Sequence, residues 1–207
     1  KCSDGIDNSL GSIGGLPIVK DSIDKELLKG SIMLLFDHMG FNTKGKTYML
    51  SIYQAKLDPA NSGWDFQTQT CDYWVDPQSY DPETCDAMVS FDNAKVNGTK
   101  LTAGGKNYTF PFQIPLNESV NLDFSLYYAR IEATVTVSNG RITYIKGIIG
   151  GAVPKQKMLD GIDAIPDDTT LPQGMTKKTL HDMINLLIKP DIDGDGDGTP
   201  ESASIGL

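Results

Sequence analysis

VNLDFSLYYARIEATVTVSNGRITYIKGII, residues 120–149, is the stretch whose reading decides the fold. Leu122, Phe124 and Leu126 share one parity, while Ala129, Ile131, Ala133, Val135 and Val137 share the other. Apolar residues at every second position are the mark of a strand with one buried face. The parity changes at Tyr127-Tyr128, which calls for a β-bulge or for a strand that passes from one sheet to another. Asn139-Gly140 then reverses the chain, and residues 141–149 return alongside. The result is a meander of an antiparallel sheet.

Outward from this meander the punctuation stays readable. Residues 31–39 and 47–57 are strand candidates joined by the turn Asn42-Thr43-Lys44-Gly45. Apolar residues fall on both parities of the second, at Met49 and Tyr53 and at Leu50 and Ile52, which predicts cover on both faces. Asn97-Gly98 marks a two-residue hairpin between strands at 90–96 and 100–103, and residues 107–114 follow the Gly104-Gly105 break. Helices fit three places. Residues 17–28 carry an apolar stripe stopped by Gly30. Pro154 suits the first position of a second helix, with Met158, Leu159, Ile162 and Ile165 on one side. A third, over 175–189, presents Leu180, Met183, Ile184, Leu187 and Ile188 and is ended by Pro190. Residues 203–207 predict a short last strand that docks on the sheet.

The chain of 207 residues carries 18 Lys and Arg against 27 Asp and Glu, a net charge of −9. That balance argues against nucleic acid and anionic membrane surfaces as partners. An apolar content of 39% suits one sizeable core. No run approaches the roughly 18–20 apolar residues that a transmembrane segment needs. Of the three cysteines, Cys71 and Cys85 bracket a polar loop. A disulfide there would close about fifteen residues and contribute roughly 3 kcal/mol in the chain-entropy model. Cys2 is left over.

The last motif has defined chemistry. In PDIDGDGDGTPES, residues 190–202, five carboxylates fall between Asp191 and Glu201 with no Lys or Arg among them. Alternating Asp with a Gly at the sixth position is how a chain wraps oxygen ligands around Ca2+. Two frames fit. One starts at Asp191 and uses Asp193, Asp195 and Gly196, with Thr199 ninth. The other starts at Asp193 and uses Asp195, Asp197 and Gly198, with Glu201 ninth and Ser204 twelfth; it supplies one more carboxylate and is preferred. Neither ends in the bidentate Glu of a sensor-type EF-hand, so a water, a carbonyl or another residue such as Asp191 must complete the shell. The spacing Asp-x-Asp-Gly-Asp-Gly-x-x-Glu resembles the calcium loops of thrombospondin type 3 repeats and dockerins, and single loops near the ends of secreted bacterial envelope proteins. The resemblance covers about fifteen residues and implies a ligand, Ca2+, rather than an activity. A weak loop of this kind fits a calcium-rich extracellular setting, as a disulfide does.

The fold class expected is α+β, an antiparallel β-sandwich or open roll with about three helices and a C-terminal calcium loop. It is read as one globular domain over 1–207, with a loop segment at 1–15, an irregular aromatic loop at 58–86 and the calcium loop at 190–204. The function expected is that of a secreted or cell-envelope, non-enzymatic calcium-binding protein with a binding or assembly role. An alternative is a carbohydrate-binding module: Trp64, Phe66, Tyr73, Trp74 and Tyr80 cluster in the aromatic loop beside Asn61, Gln67, Gln69 and Gln78, a composition suited to a glycan or a protein partner. Another is a self-assembling subunit of an extracellular structure. A hydrolase has least support. No Gly-x-Ser-x-Gly elbow, His-Glu-x-x-His pattern or P-loop is present. His38 and His181, the only histidines, read as structural, and the spacing of Asp65, Asp76, Asp123 and Glu132 suggests no catalytic pair. Lys155 and Lys157 follow Gly150-Gly151 near a helix start, where an anion would fit, but a plain strand-to-helix connection is the simpler reading.

Overall fold

A computed structural model describes residues 20, 24–25, 27–30, 32–58, 60, 73–111, 113–115, 121–123, 125–167, 169, 171 and 174–206. Its contacts divide the chain into two compact units, one of Ile23–Gly104 with Ile131–Gly147, the other of Lys1–Ser22, Gly105–Arg130 and Ile148–Leu207. The architecture is mostly antiparallel β with a few helices. No helix among the described residues is long and apolar enough to cross a membrane.

The first unit is built on β1 (Leu34–Met39), β2 (Lys44–Leu57), β3 (Tyr73–Val75), β4 (Val89–Asn97) and β5 (Lys100–Gly104). β2 pairs antiparallel with β1, β3 and β4, and β4 with β5. The turn into β2 is held by Asn42, whose Oδ1 accepts from the amides of Lys44 and Lys46, while Gly45 takes φ +71°. As expected from its mixed parity, β2 is covered on both faces: Leu50, Ser51 and Ile52 are all buried. Phe91, Val96 and Leu101 complete this core. Asn97 and Gly98 turn β4 into β5, with Gly98 at φ +62°. After β3 the chain makes a 3-10 turn at Pro77–Ser79, capped by Asp76, whose side chain accepts from the Gln78 amide.

In the second unit β6 (Thr109–Phe110) pairs with β9 (Leu126–Ser138), and β7 (Gln113–Pro115) pairs with β8 (Asn121–Asp123). β10 (Arg141–Pro154) pairs with the last strand, β11 (Ser202–Gly206). β9 passes from this unit into the first at Ile131, and β10 returns at Ile148. The helices are α1 (Lys155–Asp163) and α2 (Lys177–Leu187), packed on one another. Met158, Leu159 and Ile162 of α1 and Leu180 and Ile184 of α2 are buried, as their spacing predicts. Near the N-terminus residues 24–25 and 27–29 are helical, and Gly30, at φ +72°, ends them.

The change of parity in β9 is a bulge. Leu126 and Ala129 are both buried, with half-buried Tyr127 and Tyr128 between them. Tyr128 takes φ +57°, a left-handed conformation that costs an ordinary side chain roughly 1–2 kcal/mol. Beyond it Ile131, Ala133 and Val135 keep the odd parity inward. Pro154 is the last residue of β10 and caps α1, one position earlier than expected. The expected strand at 107–114 is divided into β6 and β7, with Pro111 between them, because proline has no amide for a continuing ladder.

Candidate metal centre

Helix α2 delivers the chain through Pro190 to a neck formed by main chain. The amides of Asp191 and Ile192 both donate to the Ser202 carbonyl, at 2.9 Å each, and those of Glu201 and Ser202 donate back to the Ile192 carbonyl at 3.1 Å. Residues 193–200 are thereby pinched off as a loop whose exit leads straight into β11. Gly196 and Gly198 turn it at φ +83° and +92°, where a side chain would be strained.

Within the loop, carboxylates hold backbone amides. Asp193 accepts from Gly196 at 2.6 Å through Oδ1 and from Gly198 at 2.8 Å through Oδ2. These amides, that of Gly198 foremost, hold its carboxyl below the usual carboxylate range. Asp195 accepts from the Asp197 amide at 3.1 Å, and Asp197 from that of Thr199 at 2.7 Å. Glu201 reaches back to the Gly194 amide at 2.8 Å. Asp193, Asp195 and Asp197 bring carboxylate oxygens within 4.8 Å of one another. Oxygens bound to one Ca2+ at about 2.4 Å lie no more than about 5 Å apart, so the three acids lie within the span of one such ion. Among the described residues no Lys or Arg stands in salt-bridge range of these three acids.

The geometry separates the two frames. Asp191 lies apart from the cluster: its Oδ1 accepts from the Ser204 amide at 2.7 Å and its Oδ2 from the Ser204 hydroxyl at 2.6 Å. Both oxygens are committed to β11, as is Ser204, the twelfth residue of the preferred frame. Thr199, ninth in the Asp191 frame, is exposed, and its amide is bonded to Asp197. Two contacts escaped the sequence reading. The Tyr128 hydroxyl donates to the Gly194 carbonyl at 3.2 Å, and the Lys155 amide donates to the Glu201 carbonyl at 3.2 Å. The parity break at Tyr127-Tyr128 was the signal for the first.

The other candidate groups are dispersed. Lys155 Nζ donates to the Asn185 carbonyl near the end of α2 at 2.7 Å, and Lys157 Nζ bonds the Tyr127 hydroxyl, so both lysines of the considered anion site serve packing. His38 Nδ1 lies 2.9 Å from the Tyr48 hydroxyl, and His181 lies between Asp163 and Asp182. Asp76 is held by Lys56 at 2.8 Å and Glu132 faces Lys100 at 3.5 Å. Of the aromatic loop, Trp64, Phe66 and Cys71 lie outside the described residues. Tyr80 packs against Tyr53 with tilted rings whose centroids are 5.2 Å apart, whereas Trp74 sits opposite Lys56. Tyr53 and Lys56 occupy opposite faces of β2, so Tyr80 and Trp74 do not form one platform. Cys85 is an exposed free thiol; Cys71, its expected partner in a bridge, lies outside the described residues. Cys85 sits at φ +62° at the end of a turn fixed by its own amide and Asp81.

Comparison with protein-family models, characterised proteins and solved structures gives no match for this chain.

Proposed function

We propose that this chain is a secreted or envelope-associated, non-enzymatic protein whose C-terminal loop binds Ca2+ as a structural clip, in the service of a binding or assembly role. The observation that carries the reading is the convergence of carboxylate oxygens from Asp193, Asp195 and Asp197 within 4.8 Å. Three negative groups so placed repel one another, and a divalent ion converts that repulsion into attraction. Glu201 is turned toward the loop by its bond to the Gly194 amide and closes it rather than joining the three converging acids. The ion ties the end of α2 to β11 and carries no chemistry in this reading. The absent twelfth-position carboxylate supports a site of low affinity, filled where calcium is millimolar, and with it a location outside the cytoplasm.

Calorimetry on the full chain tests this. At a calcium concentration one hundred times Kd, linkage adds about 2.7 kcal/mol, which for a chain of this size raises Tm by roughly 5–10 °C. Asp195→Asn and Asp197→Asn should abolish most of the rise. Identical melting in excess Ca2+ and in EDTA would sink the proposal.

A further inference from the structure

We propose that the Trp74 face of the β2–β3 pair is a binding platform for a neutral glycan, stacking the C–H face of one pyranose ring on the indole. Trp74 is 61% exposed although it lies within a strand, and its cross-strand partner is Lys56. Isolated apolar residues on a surface are ordinary; the setting of this one is not. Cross-strand neighbours stand about 5 Å apart at Cβ, so the stem of Lys56 lies beside the indole. Its Nζ is fixed by Asp76 at 2.8 Å, and Asp76 is in turn buried and bonded to the Gln78 amide. Gln54, exposed two residues before Lys56, shares the same face and offers an amide donor and acceptor. A flat aromatic surface is thus rimmed by pre-positioned polar groups.

Charge and area choose the occupant. The Lys56–Asp76 pair beside the indole is internally neutral, so it selects neither an anion nor a cation. The exposed indole offers about 150 Å2, while a standard protein interface needs about 800 Å2 from each partner. Leu34, opposite Gln54 on β1 and 36% exposed, adds too little to close that gap. A sugar ring, with one apolar face and a rim of hydroxyls, matches both the size and the polarity. The site is independent of the calcium reading, and its test is run in EDTA as well as in Ca2+.

The test screens the full chain on an array of neutral oligosaccharides, followed by titration calorimetry with the best binder. Trp74→Ala should weaken binding at least tenfold, and Trp74→Phe should recover part of it. Leu186→Ala, which removes an equally exposed apolar side chain on α2 (74% exposed), should leave it unchanged. An array without binding, undiminished binding by Trp74→Ala, or equal losses from Trp74→Ala and Leu186→Ala would each overturn the proposal. So would a change of oligomeric state on Trp74→Ala, which would make the face a protein interface.

Discussion

Replacing Asp191 by Ala removes an anchor of the last strand without touching the carboxylates that converge in the loop. Asp191 receives the Ser204 amide at 2.7 Å and the Ser204 hydroxyl at 2.6 Å, while Ser204 itself is 8% exposed. A hydrogen bond to a charged group contributes about 1.5–3 kcal/mol. Because Asp191 stands at the surface, where water competes, the lower end applies and the pair sums to about 2–3 kcal/mol. The variant also leaves a buried amide in β11 without its acceptor, so relaxation recovers little. For a chain of this length the loss corresponds to roughly 5–10 °C in Tm. If the two units melt separately, it falls on the transition of the unit that carries β11. The assay is differential scanning calorimetry of wild type and variant, each in Ca2+ and in EDTA. Asp191→Ala should lower Tm by the same amount in both buffers, whereas Asp193→Ala should abolish the difference between them. A neutral Asp191→Ala in EDTA, or one that erases the calcium-induced shift, would refute the separation of latch from ligand.

Further outcomes are expected elsewhere. A Cβ added at Gly147 would lie 2.3 Å from Ala133 Cβ and from the Glu132 carbonyl. Gly147→Ala should therefore cost about 3 kcal/mol or more, read as a lowered denaturant midpoint. Burial holds the His38 imidazole below its usual 6.5, Asp37 offsetting part of the effect. The unfolded chain then takes up the proton more readily; stability is full above about 6.5 and falls as pH drops through the folded value. Urea titrations of His38→Gln should lose that part of the slope, and an unchanged profile would discount it. Tyr128→Phe removes the bond to Gly194 but keeps the left-handed backbone, so it should speed proteolysis of the C-terminal loop in EDTA; cleavage at the wild-type rate would count against that contact.

Much of the fold was legible because its signals are local. Alternation fixed β9, Asn97-Gly98 and Asn139-Gly140 fixed two turns, and the change of parity at Tyr127-Tyr128 marked the bulge. The features missed depend on distance. The strand read over 141–149 continues through Gly150-Gly151 to Pro154; a Cβ at Gly151 would lie 2.5 Å from the Tyr127 carbonyl, so glycine here permits close strands. The acidic motif announced a run of carboxylates but not their division of labour. Assigning Asp191 to Ser204 requires the register that sets Ser204 opposite Ala152, and no spacing within the motif contains it. The aromatic loop misled for a related reason: proximity in sequence placed Trp74 and Tyr80 together, whereas the pairing of β3 with β2 sends them to opposite faces.

On the proposed reading, that division of labour lets the loop hold Ca2+ without a twelfth ligand. In a sensor loop the final Glu both coordinates the ion and closes the loop, so binding and movement are one event. Here closure is built from protein contacts. The Ile192–Ser202 bridge forms the neck, Asp191 fixes Ser204, and Glu201 and Tyr128 grip Gly194 by its amide and its carbonyl. The bulge in β9 aims the Tyr128 hydroxyl at that carbonyl, which gives its strained φ a structural use. A cation arriving in such a frame has only to draw together Asp193, Asp195 and Asp197. Little conformational change is then available for signalling, and the binding energy goes into holding the end of the chain. A loop closed in this way is suited to be a fastener, and a switch would need the closure that this one already has.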